Sequence, residues 1–149
     1  MQPMNCMNVE FLSISDNIAF ARVVVAAFVA QLDITLNELD ELKVAISEAV
    51  TNAIIHAYAG EKNGRIRIEA MLYEQAMEII VEDTGLGIED VEQAMQPDFS
   101  SKPDRMGLGF SFMQSFTDTL EVHSVPGQGT RVKMLKILNT PAVAQQQKG

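Results

Sequence analysis

Apolar and polar residues follow two repeating patterns along this chain. In five stretches they alternate with a period of two, as in half-buried strands. In four others the apolar residues recur every three or four positions, as in helices packed on one side. The predicted strands are residues 8–14, 65–73, 76–83, 120–124 and 130–138, and the predicted helices are 18–32, 35–58, 88–95 and 107–116. Because several strands are hairpin neighbours, we expect an α+β fold, a two-layer sandwich with helices on one face of a mixed, mostly antiparallel sheet.

The helix predicted over 35–58 carries the first candidate site. Thr35 and Glu38 have the spacing of a capping box at its start. Glu48 and Asn52 are four residues apart, so their side chains stack on one face. The apolar positions fall into two other groups, which are Leu39, Leu42, Ile46, Val50 and Ala53, and Val44, Thr51 and Ile55. We therefore expect this helix to be covered on two sides, with the polar pair lining a cleft, although a solvated polar pair on a surface helix is the alternative on this stretch alone.

Composition and charge narrow the possible functions. The chain has 149 residues, of which 47% are apolar and 21% charged, which is typical of one globular domain. We place that domain at residues 1–138 and expect 139–149 to be a polar, disordered tail. The net charge of −9 argues against a nucleic-acid binder, which needs a basic face, and is compatible with a basic protein partner or with solubility alone.

Cysteine use and hydropathy indicate a cytoplasmic protein that does not enter a membrane. Cys6 stands alone, so no intrachain disulfide or cysteine-based metal site is expected. The N-terminus lacks the basic and apolar regions of a signal peptide, and the apolar run 23–30 is too short to span a bilayer. A reducing cytoplasm is therefore the expected compartment.

A second candidate site follows the predicted strand 76–83. Asp83-x-Gly85-x-Gly87 places a carboxylate at a strand end, where it can accept from an exocyclic amine, and its glycines allow backbone to approach a flat ring. A turn that simply closes the strand is the alternative. The third glycine of a dinucleotide-binding fingerprint is missing, since Asp90 stands there, and the chain has no phosphate-binding P-loop.

The same stretch also has the form of an aspartic-protease strand. Residues 79–82 are largely apolar and lead into Asp83-Thr84-Gly85. Such an enzyme needs two carboxylates that share a proton, and with a single motif per chain it would have to be a homodimer. This alternative leaves Asn52 without a role.

A third candidate site lies at the predicted helix 107–116. Gly107-x-Gly109 opens that helix just after Lys102 and Arg105, so free backbone N–H groups and mobile cations could hold an anion. Ser100 and Ser101 could add hydroxyl donors. A glycine loop with solvated charges is the alternative for this stretch taken by itself.

The three stretches in this order resemble a known fold. Glu48-x-x-x-Asn52-Ala53, Asp83-x-Gly85-x-Gly87-Ile88 and Gly107-x-Gly109-Phe110, with Gly129-Thr130 at the end, are similar to the Bergerat-type ATP-binding fold of gyrase, Hsp90, histidine kinases and MutL. The similarity covers residues 8–138. A histidine kinase needs a further domain with a phosphoacceptor histidine. The segments 20–22, 47–56 and 96–103 look closest to the stand-alone serine kinases of this superfamily, the sporulation anti-sigma F factors.

This resemblance implies roles for the residues that match its motifs. Asn52 would ligate Mg²⁺, and Asp83 would accept from the adenine amino group with Thr130 nearby. Glu48 would orient and deprotonate the hydroxyl of a substrate serine. Other nucleotide-binding positions would be Gly85, Gly87 and Ile88 around adenine, and Ser101, Lys102, Arg105, Gly107, Gly109 and Phe110 in a lid around the phosphates.

The resemblance also implies an activity and partners. We expect a homodimeric, ATP- and Mg²⁺-dependent serine kinase that holds an RNA polymerase sigma factor inactive and phosphorylates an anti-anti-sigma factor. Arg22, a charge in an otherwise apolar helix, is the candidate partner contact. The alternative is a binding module that uses ATP only as a switch, which would keep Asn52 and Asp83 but would not need Glu48.

Overall fold

The computed structural model describes residues 2–96 and 106–138. Within them, five strands form one sheet in the order β1-β2-β3-β5-β4, and every neighbouring pair is antiparallel. The strands are β1 (Asn5–Leu12), β2 (Arg65–Tyr73), β3 (Ala76–Asp83), β4 (Thr119–Val125) and β5 (Gly129–Ile137). The predicted α+β fold is confirmed, with the described sheet antiparallel throughout.

Four α-helices accompany the sheet in the described ranges. They are α1 (Asp16–Val29), α2 (Leu36–Asn52), α3 (Val91–Ala94) and α4 (Met106–Phe116), and a single π-helical turn (Ala53–Ala57) continues α2. The capping box at the start of α2 is confirmed. The Thr35 hydroxyl accepts from the Glu38 N–H at 3.0 Å, and the Glu38 carboxylate accepts from the Thr35 N–H at 3.0 Å. The predicted helix 35–58 is thus α-helical only as far as Asn52.

The core lies between one face of the sheet and the helices. Alternate residues of the central strands point into it, as the period of two requires. The fully buried strand residues include Ile66, Ile68, Leu72, Met77 and Ile79, and they pack with Val25, Leu42, Ile46, Phe110 and Met113 from the helices. The other sheet face carries cross-strand ion pairs such as Arg67–Glu82 and Lys133–Glu78, as expected of an antiparallel sheet with one face in water.

The expectation that α2 is covered on two sides is wrong for the described part of one chain. Leu42, Ile46 and Val50 are buried, but the second apolar group is not, because Val44 is 45% and Ile55 48% exposed. Helix α1 is similar, since its Val23 is 66% exposed. Neither helix, nor any other in the described ranges, is long and apolar enough to cross a membrane.

Candidate functional site

A cleft opens between the α2–π-turn segment, α4 and the ends of β3 and β5. Its walls are Ala49, Asn52, Ala53, His56, Ala57, Val81, Asp83, Gly87, Ile88, Phe110, Thr130 and Val132. The cavity volume is ≈ 30 Å³, room for roughly one or two water molecules.

Asp83 is placed in the cleft by strand pairing. It is the last residue of β3 and stands opposite Thr130 in β5, which brings together two residues that are far apart along the chain. The Asp83 side chain is only 8% exposed, and its carboxylate accepts from the Gly85 N–H at 2.9 Å. Burial raises the pKa of Asp83, while hydrogen bonds from the backbone of Gly85 and Thr130 oppose that rise. Asp83 is thus a buried acceptor that faces a small cavity.

Glu48 and Asn52 meet the start of α4 at Gly109. A Cβ added at Gly109 would lie 3.0 Å from Glu48 Oε1 and 3.3 Å from Asn52 Nδ2, so both polar groups crowd this position. Among the residues that the structure describes, Asn52 Nδ2 is buried without a hydrogen-bond partner. A half-turn of the amide would present its oxygen to the same space. The predicted polar stripe on α2 therefore does line a cleft, with α4 as its opposite wall.

The π turn that follows Asn52 connects α2 to the loop after Asp83. Its defining bond runs from the Tyr58 N–H to the Ala53 carbonyl at 3.1 Å, and the Ala57 carbonyl accepts from the Leu86 N–H at 2.9 Å. Gly85 packs so closely here that a Cβ would overlap the Ala57 carbonyl oxygen. Gly85 therefore supports the cleft from behind rather than lining it.

Most of the predicted nucleotide-binding residues that the structure describes come together. Asn52, Asp83, Gly87, Ile88, Phe110 and Thr130 line the one cleft. Glu48 and Gly109 lie beside Asn52, and Gly107 belongs to α4. Ser101, Lys102 and Arg105 fall outside the described residues. Arg22 is exposed on α1, and its guanidinium donates to Ser47 Oγ at 3.3 Å, one residue along α2 from Glu48.

Sequence reasoning missed several residues of the site. Ala49, Ala53 and Ala57 recur every four residues beside Asn52 and line the cleft, and this small-residue repeat was a usable signal. His56, four residues after Asn52, also lines the cleft. Ser124 lies next to the cleft and bonds two of its walls. In the sequence, Ser124 could have been noticed as a polar residue at a strand position that faces the core.

The aspartic-protease alternative would need Asp83 to meet its copy in a second chain, but Asp83 is buried within its own chain, where its carboxylate accepts from the Gly85 N–H. In the described ranges no group of three or more His, Cys, Asp or Glu residues could hold a metal ion. The acidic side chain next to the cleft is Glu48, which belongs to a separate helix and sits against Gly109. The arrangement suits a ligand with a flat, polar-edged ring at Asp83 and an anionic part towards Asn52.

Comparison with known proteins agrees with this geometry. The family of histidine kinase-like ATPase domains matches residues 13–136. Anti-sigma F factors from Clostridium beijerinckii and Pasteuria penetrans are 52% and 53% identical to the chain, each over 137 residues. The first match covers 91% of this chain and 96% of the relative, and the second covers 90% and 91%.

Solved structures support the fold. The RsbU and RsbW domains of Rv1364c from Mycobacterium tuberculosis superpose with a TM-score of 0.66 at 18% identity, over 91% of this chain and 33% of that longer one. The catalytic domain of histidine kinase ThkA superposes with a TM-score of 0.56 at 16% identity, over 90% of this chain and 98% of that domain. The chain therefore carries a histidine kinase-like ATPase domain, which binds ATP, and it belongs to the family of anti-sigma F factors.

Proposed function

We propose that this chain is an ATP-dependent serine kinase that binds and inhibits a sporulation sigma factor of the F type and phosphorylates a serine of an anti-anti-sigma factor. The observation that carries the kinase assignment is the meeting of Glu48 and Asn52 at Gly109, beside a cleft whose far wall is Asp83. This arrangement provides a candidate base, a candidate metal ligand and an adenine acceptor around one space.

Adenine would bind at the Asp83 end of the cleft. The ionised carboxylate of Asp83 can accept from the exocyclic amine of adenine, and Thr130 supplies a hydroxyl next to it. Guanine has a carbonyl at that position, which would face the carboxylate without a proton between them. Leaving such a buried acceptor unpaired costs about 1–3 kcal/mol, so the site should prefer adenine to guanine by roughly tenfold or more.

Asn52 is the candidate ligand for Mg²⁺. Mg²⁺ takes hard oxygen ligands and is commonly held by one or two protein groups together with substrate phosphates. The buried Asn52 amide, which lacks a partner among the described residues, can supply one such oxygen. When bound, the ion would neutralise charge on the triphosphate. The phosphates would then lie near Asn52 and the start of α4, and Lys102 and Arg105, which are outside the described residues, are the cations proposed to bind them.

Glu48 is the proposed general base. Phosphoryl transfer passes through a loose transition state, so a weak base that orients the attacking hydroxyl is sufficient. The substrate serine Oγ would form a bond to the γ-phosphorus while the bond to the bridging β,γ-oxygen breaks and ADP leaves. The hydroxyl proton passes to the Glu48 carboxylate. Glu48 is half-buried, so part of its side chain remains open to a serine on a partner protein.

The test is transfer of labelled γ-phosphate from ATP to an anti-anti-sigma factor, with Mg²⁺ present. Glu48→Gln keeps the shape of the side chain but removes the base, so we expect unchanged ATP affinity and a loss of transfer of about 10²-fold or more. Glu41→Gln, an exposed position on the same helix, is the matched control. Full transfer by Glu48→Gln would exclude Glu48 as the base, whereas a wild-type protein that binds ATP without transferring phosphate would favour the ATP-switched binding module.

Partner binding is proposed at Arg22. Its exposed guanidinium reaches Ser47, so a protein docked there would lie next to Glu48. Arg22→Ala should weaken sigma-factor capture, whereas Arg65→Ala, on the opposite sheet face, should not; equal effects would exclude this surface.

We also propose a homodimer, which sedimentation equilibrium would reveal as twice the chain mass. A cytoplasmic location follows from the proposed partner, because sigma factors act there on RNA polymerase.

A further inference from the structure

Ser124 occupies a strand position where the pattern calls for an apolar side chain. In β4, Leu120, Val122 and Ser124 share the face that turns towards the helices, and the first two pack against the core. Ser124 stands at the cleft end of this row, opposite Thr130 in β5. A hydroxyl at a core-facing position gains nothing from burial unless it is hydrogen-bonded, so its partners should account for it.

The Ser124 hydroxyl connects two walls of the cleft. Its oxygen accepts from the Ile88 N–H at 2.7 Å and lies 2.8 Å from the Thr130 hydroxyl oxygen. It also lies 3.1 Å from the Gly129 carbonyl oxygen, to which it can donate. Ile88 and Thr130 both line the cleft, whereas Ser124 does not. Ser124 is thus placed behind the cleft, in contact with the loop that follows β3 and with β5.

A count of protons shows how Ser124 can control the Thr130 hydroxyl. A serine hydroxyl has one proton and two lone pairs, and one lone pair is taken by the Ile88 N–H. If the proton goes to the Gly129 carbonyl, Thr130 must donate to Ser124 and presents only lone pairs to the cleft. If the proton goes to Thr130, the Thr130 proton is free to point into the cleft. In both cases the Thr130 hydroxyl is hydrogen-bonded to Ser124, which restricts its rotation next to Asp83.

We propose that Ser124 is a positioning residue that holds Ile88 and Thr130 in place for the purine base. The proposal rests on the proposed adenine site at Asp83. Without the hydroxyl, the Ile88 N–H loses its acceptor and Thr130 can rotate, so the two walls of the base site are no longer held at a fixed separation. The groups proposed for the phosphate end, Glu48, Asn52 and Gly109, belong to α2 and α4 and are not among the contacts of Ser124.

The test separates binding of the base from the chemical step. In Ser124→Ala we expect the Kd and KM for ATP to rise about tenfold, the preference for ATP over GTP to fall, and kcat to stay within about twofold of wild type. Ser124→Thr keeps the hydroxyl and should restore most of the affinity. Ser115→Ala, an exposed serine on α4, is the control. A purely structural role would lower the thermal midpoint and kcat without a selective change in ATP affinity.

The outcomes distinguish this inference from the proposed function. If wild-type protein neither binds ATP nor transfers phosphate, the proposed function fails. If wild type does both and Ser124→Ala matches it in Kd and nucleotide preference, the inference alone is overturned. Should the alanine variant not fold, Ser124→Cys decides by the same comparison, because a thiol fills similar space but is a weak hydrogen-bonding group. Wild-type ATP affinity in folded Ser124→Cys would overturn the inference.

Discussion

Gly109 offers a substitution that should separate stability from activity. It lies in α4, where alanine is a better helix former than glycine by about 0.8–1.0 kcal/mol. The added Cβ would lie 3.0 Å from Glu48 Oε1, which is closer than carbon and oxygen atoms normally approach, and 3.3 Å from Asn52 Nδ2. Both neighbours are ends of side chains that can shift by a few tenths of an ångström. We therefore expect Gly109→Ala to fold with unchanged or slightly higher stability.

Activity should respond in the opposite direction. The same small shift moves the proposed base and the proposed metal ligand away from the reacting phosphate. Because misplacement by 1 Å costs up to about 10²-fold in rate, a shift of a few tenths of an ångström should cost less, and we expect Gly109→Ala to lose up to about 10-fold in phosphate transfer. The thermal midpoint should change by no more than about 4 °C, the range expected for a domain of this size from about 1 kcal/mol.

The assay is labelled phosphate transfer together with thermal unfolding and an ATP titration. Ser115→Ala, on the exposed side of α4, gains helix propensity without touching the site and should keep full activity. A Gly109→Ala protein with wild-type transfer would refute the placement of the reacting groups at this glycine. If Gly109→Ala is destabilised by several kcal/mol, the Glu48 and Asn52 side chains do not shift to make room for the added Cβ.

Two further predictions concern pH and helix capping. Burial raises the pKa of Asp83 above that of the unfolded chain, so its contribution to stability is full below the unfolded pKa and is lost as pH rises through the folded pKa. As pH rises between the unfolded and the folded pKa of Asp83, the free energy of unfolding in urea should fall for wild type relative to Asp83→Asn. A difference between the two proteins that does not change with pH would contradict this prediction. Thr35→Ala removes the acceptor for the Glu38 N–H and should cost about 1 kcal/mol in urea unfolding with ATP affinity unchanged, whereas no loss would mean that the capping box is replaced by water.

The sequence pattern correctly predicted the ends of those strands and helices that are fixed by residues close to them in the chain. The bounds of β2 and β3 are as expected, because a two-residue hairpin pairs Tyr73 with Ala76 and leaves no choice of register. β1 ends at Leu12 instead of residue 14. The reason is a distant contact, since Ser13 turns away from the sheet to donate its hydroxyl to the Glu61 carbonyl at 2.6 Å and to accept from the Gly64 N–H at 3.0 Å.

The helical segments around the site departed further from expectation. The helix predicted over 88–95 is only Val91–Ala94, because the Asp90 side chain caps it through the Gln93 N–H at 3.0 Å and the Ile88 N–H is held by Ser124. Among the site residues, Asn52 and Asp83 could be identified from motifs. Ser124 carried only the signal of a polar residue at a core-facing strand position, because its role depends on a register between β4 and β5 that brings it beside Thr130.

The π turn after Asn52 has a consequence for how this protein can vary. Such a turn is an α-helix with one additional residue, and each residue of an α-helix turns the chain by about 100°. Loss of a single codon within 53–57 would restore a regular helix, but it would swing the Ala57 carbonyl away from the Leu86 N–H that it now binds. Substitutions that keep the length of this segment should therefore be tolerated more often than insertions or deletions. Related sequences should keep the same number of residues between Asn52 and the Ala57 carbonyl that binds the loop after Asp83.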